Sequence, residues 1–140
     1  MVSNEEISVN KRNGRGKESL NIEKIHSMVG FATEGITGVS ASHVEMNSGI
    51  QFFDGVSTAD IQQILIRSAN DLITLENPNY QYVAARLLLF QLRKQLFHRL
   101  WDHPKFIDHI KTLIDKGLYD KDILVNYDES EIDRMGMWID

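Results

Sequence analysis

The sequence contains no cysteine among its 140 residues. This absence excludes disulfides, thiolate metal sites and any chemistry that needs a thiol nucleophile or a sulfur radical relay. Long apolar runs are also missing, because no stretch approaches the roughly 20 residues that span a bilayer. The acidic, polar start of the chain does not fit a secretory signal peptide. Together these features predict a cytoplasmic location and no membrane partner.

A broad basic surface is the third feature that the sequence lacks. The net charge is −5, and residues 101–140 hold ten acidic against five basic side chains, so the whole deficit lies in that segment. A protein that grips a nucleic-acid backbone needs a continuous basic face, and we therefore expect no nucleic-acid partner. The length and the 42% hydrophobic content are typical of one globular domain, here with a helical tail.

The first 35 residues carry the signals of a β-hairpin followed by a helix. Ile7-Ser8-Val9 and Lys17–Leu20 have extended patterns, and Asn13-Gly14-Arg15-Gly16 between them tolerates the positive φ of a tight turn. Asn21 is well placed to cap the helix that follows. The apolar stripe of that helix consists of Ile22, Ile25, Val29 and Ala32.

The rest of the chain is predicted to be helical, with short breaks. The further predicted helices run from Ser40 to Ile50, from Ser57 to Leu72, from Tyr80 to Phe97, from Lys105 to Lys116 and from Asp120 to Asn126. Ser57-x-x-Asp60 and Asp128-x-x-Glu131 have the spacing of capping boxes, the second for a last turn. The helix from Tyr80 is apolar around most of its circumference, which predicts burial in the middle of a bundle.

Standard phosphate-binding and metal-binding motifs do not account for the polar residues. Gly16-Lys17 is not the end of a P-loop, because Lys11 stands where the first glycine is required and Glu18 replaces the Ser/Thr. Gly14-x-Gly16 also lacks the third glycine of a dinucleotide-binding turn. The five histidines have no convincing ligand spacing, so we expect neither metal ligands nor catalytic residues.

A nucleotide pocket is one interpretation of the charged residues. The cations Lys11, Arg12, Lys24 and Lys94, with the Thr58 hydroxyl, could converge on a polyphosphate from different elements. Lys94 lies among apolar neighbours in the sequence, where an ammonium group without an anion would be costly. Glu18 and Asn21 have the donors and acceptors to read adenine. Solvated surface charges are the alternative interpretation.

Four segments closely resemble the ATP-cone at the N-terminus of class Ia ribonucleotide reductase large subunits. They are Val9 to Gly14, Asn21 to Ile25, Asp54 to Ile61 and Tyr80 to Lys94. The Tyr80 to Arg86 motif and the closing Leu92-Arg93-Lys94 are specific to that family. The resemblance implies a mainly α fold, a four-helix bundle capped by a small β-hairpin. It implies a cone over residues 1–98 and a helical connector toward the reductase barrel over residues 99–140.

The resemblance also implies a regulatory function. ATP would activate and dATP would inhibit the reductase by changing how its large and small subunits assemble, with Mg²⁺ accompanying the triphosphate. The expected partners are these nucleotides, the remainder of the large subunit and the radical-generating small subunit. The sequence holds neither the barrel nor the redox cysteines of the active site, so no catalysis is expected from these 140 residues alone.

Position by position, the resemblance assigns twelve residues to the nucleotide site. Adenine would be read by Glu18 and Asn21, the sugar region by Lys24, and the phosphates by Lys11, Arg12, Thr58 and Lys94, with Val9, Ile25 and Phe90 as lining. Gln62 and Gln91 stand where relatives often carry histidines, and the hairpin has one extra residue before Glu18. A cone that only contacts the small subunit is one alternative. A nucleotide-responsive repressor is another, disfavoured because its zinc ribbon needs cysteines.

Overall fold

The computed structural model describes residues 7–11, 16–49, 51–100 and 102–139. Within these ranges the chain is mainly helical, as predicted. Its elements are β1 (Ser8–Asn10), β2 (Lys17–Ser19), α1 (Ile22–Thr33), α2 (Ala41–Gly49), β3 (Val56–Ser57), α3 (Thr58–Asp71), α4 (Tyr80–Phe97), α5 (Phe106–Asp115), α6 (Asp122–Asn126) and α7 (Glu129–Gly136). The chain divides into two compact units, Met1–Leu92 and Arg93–Asp140. The division of function at residue 98 stays a prediction.

The three strands form one small sheet in the order β2-β1-β3. β1 and β2 pair antiparallel with Val9 opposite Glu18, which confirms the hairpin. The predicted turn residues Asn13, Gly14 and Arg15 lie outside the described residues. β3 pairs parallel with β1 and places Val56 opposite Val9. Sequence reasoning missed β3 because a strand of two residues is too short to show an alternating pattern.

Side-chain caps begin three of the helices at the predicted positions. The Asn21 side chain accepts from the Lys24 backbone N–H at the start of α1. Ser57 caps α3: its hydroxyl accepts from the Asp60 N–H at 3.0 Å and donates to the Asp60 carboxylate at 2.6 Å. Asp128 forms a complete capping box at the start of α7. This helix has 8 residues, whereas the sequence predicted one last turn.

The core of the first unit lies where α1 packs against α2 and α2 packs against α3. Its fully buried apolar side chains include Val29, Ala32, Val44, Leu65 and Ala69. These residues recur every three or four positions along their helices, which is the spacing that turns one helix face toward the interior. The arrangement as a four-helix bundle stays a prediction, and the predicted end of α2 at Ile50 lies outside the described residues.

The prediction that α4 is buried around most of its circumference is wrong. Only Tyr80, Val83, Leu87 and Phe90 are buried on this helix. Four leucines on the same helix are 42–69% exposed: Leu88, Leu89, Leu92 and Leu96. The buried residues follow each other at intervals of three or four and so form a single stripe, whereas the helical repeat puts the four leucines on the opposite face. An apolar sequence therefore marked α4 as a helix but did not show which faces are covered.

The second unit has a small core of its own. Ile107 and Ile110 of α5 pack with Ile132 of α7. The two helices approach closely, because a Cβ atom added to Gly136 would lie 2.7 Å from the Cβ of Phe106. Among the residues described, no helix combines the length and the apolar content needed to cross a membrane.

Candidate functional site

Pairing of β1 with β3 brings Lys11, a predicted phosphate ligand of the hairpin, close to the start of α3. The Asn10 side chain donates to the Gly55 carbonyl at 2.7 Å, and the Gly55 N–H donates to the Ser8 carbonyl at 2.9 Å. The Thr58 hydroxyl lies 3.4 Å from the carbonyl oxygen of Asn10, the residue that precedes Lys11. Lys11 and Thr58 are 47 residues apart in sequence, yet the sheet makes them neighbours.

Lys11 and Glu18 form an ion pair across the hairpin. The Nζ atom of Lys11 lies 2.9 Å from Oε2 of Glu18, and the two side chains are 47% and 43% exposed. The hydrogen bond from Lys11, with the positive charges of Lys11 and Lys24, holds the pKa of Glu18 below its usual range. Three predicted nucleotide ligands thus interact electrostatically: Lys11 just after β1, Glu18 on β2 and Lys24 on α1.

Asn21 combines a structural role with its predicted role as a ligand. Its side-chain oxygen accepts from the Lys24 N–H at 3.0 Å and so caps α1. The amide NH₂ group is not required by this cap and has two donors of its own. The cap therefore fixes the side chain and leaves the amide as the group that can donate to a ring nitrogen. Lys24, one turn into α1, is exposed.

The three residues predicted to line the pocket are buried in the protein. Val9, Ile25 and Phe90 have 5%, 8% and 7% of their surfaces exposed. Each comes from a different element, β1, α1 and α4, and all three belong to the buried core. Side chains buried in a closely packed core are held rigidly.

Gln62 and Gln91 both bond to other residues of the protein. Gln62 is buried, and its Nε2 atom donates to the Leu87 carbonyl of α4 at 2.9 Å. Oε1 of Gln91 accepts from the Gln63 side chain at the same distance. The two contacts join α3 to two successive turns of α4. Both glutamines therefore have a structural explanation that does not require a ligand.

The remaining predicted phosphate ligands are Arg12 and Lys94. Arg12 lies outside the described residues. Lys94 is exposed, so the expectation that an apolar environment would force its ammonium group onto an anion is wrong. The first compact unit ends at Leu92 within α4, so Lys94 belongs to the second unit. Among the described residues, no three His, Asp or Glu side chains cluster in a way that could hold a metal ion.

A family model described as "ATP cone domain" matches residues 7–95. This range contains the hairpin, α1 to α3 and nearly all of α4, and it includes each of the twelve predicted site residues. The chain belongs to the ATP-cone family.

Relatives of the cone carry the name of one enzyme. The chain is 42% identical over 137 residues to "Ribonucleoside-diphosphate reductase 1 subunit alpha" of Escherichia coli. It is equally similar to the proteins named "Ribonucleoside-diphosphate reductase subunit alpha" of Haemophilus influenzae and Buchnera aphidicola. These matches cover 96–98% of the chain but only 17–18% of the length of the relatives.

Several residues that organise the cone were not recognised from the sequence as part of the site. Asp54 accepts hydrogen bonds from both the backbone N–H and the hydroxyl of Ser8, which tie β1 to the loop before β3. These bonds, first of all the one from the hydroxyl, lower the pKa of Asp54. The sequence signal was available, since Asp54-Gly55 lies in one of the segments that carry the family resemblance.

Two residues of the Tyr80 to Arg86 motif support the fold of the cone. The buried Tyr80 hydroxyl accepts from the Ser40 N–H at 3.1 Å and lies 3.2 Å from Nδ1 of His43. The side chain of Arg86 reaches the C-terminal end of α1. Its Nη1 atom donates to the Glu34 carbonyl at 2.6 Å and lies 3.4 Å from the Ala32 carbonyl oxygen. Arginine suits this position because the last carbonyls of a helix lack intrahelical donors.

Proposed function

We propose that this cone binds ATP and dATP at its hairpin end and thereby regulates a ribonucleoside-diphosphate reductase. The observation that carries the proposal is the grouping of Lys11 with Glu18 and Lys24, with the Thr58 hydroxyl at the N-terminus of α3 bonded to the residue before Lys11. Ammonium groups and the N-terminal end of a helix both favour a phosphate chain. A carboxylate and a side-chain amide nearby supply the acceptor and donor that adenine requires.

The proposal gives each part of the nucleotide its own ligands. Lys11 and Thr58 take the phosphates, with Arg12 and Lys94 as further candidates from the family resemblance. Lys24 takes the sugar region. Magnesium would enter with the triphosphate, because Mg²⁺ is commonly held by substrate phosphates and water rather than by a cage of protein carboxylates. The chemistry of the described donors fits this mode, since they can contact phosphate oxygens directly.

Regulation requires that ATP and dATP differ in more than affinity. The two nucleotides differ only by the 2′-hydroxyl, and each can shift an assembly equilibrium only as far as it prefers one assembly over another. We propose that ATP supports the active assembly of large and small subunits and that dATP supports an inactive one. The cone itself would take no part in the reduction, which belongs to the remainder of the large subunit.

Calorimetric titration with ATP and with dATP tests the nucleotide site. Lys11→Met should weaken both nucleotides about tenfold, because one charge-assisted phosphate contact contributes roughly 1.5 kcal/mol. Lys17→Met is the matched control: Lys17 lies on the same hairpin but precedes Glu18 in β2, so its side chain points to the opposite face. Equal losses in the two variants would indicate a general charge effect and contradict the assignment of Lys11.

A second candidate function is a cone that takes no nucleotide and only contacts the small subunit. The observation in its favour is that Gln62 and Gln91 are both engaged in hydrogen bonds within the protein. Mass measurements on the complete reductase subunits, with and without dATP, separate the two functions. An assembly that forms equally well at all dATP concentrations favours the contact function, and a change of mass with dATP favours regulation.

A further inference from the structure

The ion pair between Lys11 and Glu18 joins two residues that the proposed function assigns to opposite ends of the nucleotide. Lys11 is assigned to phosphate and Glu18 to adenine, yet their charged atoms lie 2.9 Å apart. The hairpin register favours this contact, because Glu18 is opposite Val9 and Lys11 is two residues further along the same face. Both side chains are about half exposed, so solvent and solutes can reach the pair.

A phosphate chain that binds Lys11 comes close to the Glu18 carboxylate, which is already bound to that ammonium group. The two anions compete for the same ammonium group, and they repel each other at short distance. The positive charge of Lys24 also acts on Glu18, so the carboxylate lies near two of the cations that the proposed function assigns to the nucleotide. Phosphate binding alone therefore loses an existing ion pair and brings two negative charges together.

We propose that this ion pair makes phosphate binding depend on the adenine base. The inference rests on the proposed function and adds how the site selects its ligand. When the nucleotide carries an exocyclic amine, Glu18 leaves Lys11 and accepts a hydrogen bond from the amine N–H, while Lys11 binds the phosphate. Each residue of the ion pair then has a new partner. A polyphosphate, or a purine nucleotide without the amine, leaves the Glu18 carboxylate uncompensated. Selectivity then comes from a penalty on the wrong ligand as well as from contacts with the right one.

The test compares ATP, purine riboside triphosphate and inorganic tripolyphosphate by calorimetry on the wild-type chain and on Glu18→Gln. Glutamine keeps an oxygen that accepts from the amine but carries no charge. We expect Glu18→Gln to bind tripolyphosphate and purine riboside triphosphate about twofold to fivefold more tightly, the scale of one exposed ion pair. ATP affinity should change less, so the preference for ATP over the other two ligands falls.

Glu23→Gln is the matched control, because Glu23 is an exposed acid in the first turn of α1 and its loss changes the net charge equally. Far-UV circular dichroism checks that both variants are folded. Equal gains in the two variants, or no gain for tripolyphosphate in Glu18→Gln, would overturn the exchange while leaving nucleotide binding intact. A folded wild-type chain that binds neither ATP nor dATP would instead refute the proposed function, and the exchange with it.

Discussion

Replacement of Tyr80 by phenylalanine should destabilise the first unit through the loss of a single oxygen atom. Tyr80 is 3% exposed, and its hydroxyl accepts from the backbone N–H of Ser40, the residue before α2. Phenylalanine keeps the ring, so the substitution leaves no large cavity. What it removes is the acceptor of a partly buried amide that has no helical partner at this position.

The expected loss in the free energy of unfolding comes from the Ser40 amide alone. A donor left without a partner in a partly buried environment costs about 1 to 2 kcal/mol. His43 also contacts the hydroxyl at 3.2 Å, but it is exposed and can bond to water instead. For a unit of this size the loss corresponds to a decrease of about 5 to 15 °C in Tm. ATP binding at the hairpin should be retained at temperatures where the unit is folded.

Urea unfolding followed by far-UV circular dichroism measures the loss, and amide hydrogen exchange assigns it to the first unit. Tyr82→Phe is a matched control, because Tyr82 lies on the same helix but is 55% exposed. It should change the free energy of unfolding by less than about 0.5 kcal/mol. If both substitutions have the same effect, the hydroxyl of Tyr80 does not stabilise the cone in the way described.

Two further predictions concern contacts that link distant segments. Arg86→Met should lower the free energy of unfolding by about 1 to 2 kcal/mol and speed amide hydrogen exchange in the last turn of α1, because the carbonyl of Glu34 loses a charged donor. Arg67 is an exposed residue of α3, and an equal effect of Arg67→Met would contradict this role of Arg86. Asp54 has a lowered pKa in the folded protein, so its stabilising effect is present above the unfolded pKa and is lost as the pH falls through the folded value. Thermal melts of wild type and Asp54→Asn should therefore converge toward low pH, and a constant difference in Tm down to pH 2 would refute the reasoning.

The sequence by itself determined the local structure of this protein. Asn21 and Asp128 were recognised as helix caps because capping depends on residues only three positions apart. The hairpin and the long helix from Tyr80 to Phe97 were likewise visible in short patterns. The family could also be recognised, since its motifs are short runs of consecutive residues.

Only the tertiary structure decided which of these residues meet. β3 exists because Val56 finds Val9, and no local pattern of two residues announces such a strand. The buried face of α4, the bond from Gln62 to α4 and the contact of Arg86 with α1 all depend on how separate helices are packed. The apolar residues of a helix predict which face is apolar but not which helices pack against it. The charged residues of a hairpin likewise do not predict which of them form ion pairs. For the same reason the sequence named Lys11 and Glu18 as ligands, while only the folded chain showed that they are bonded to each other.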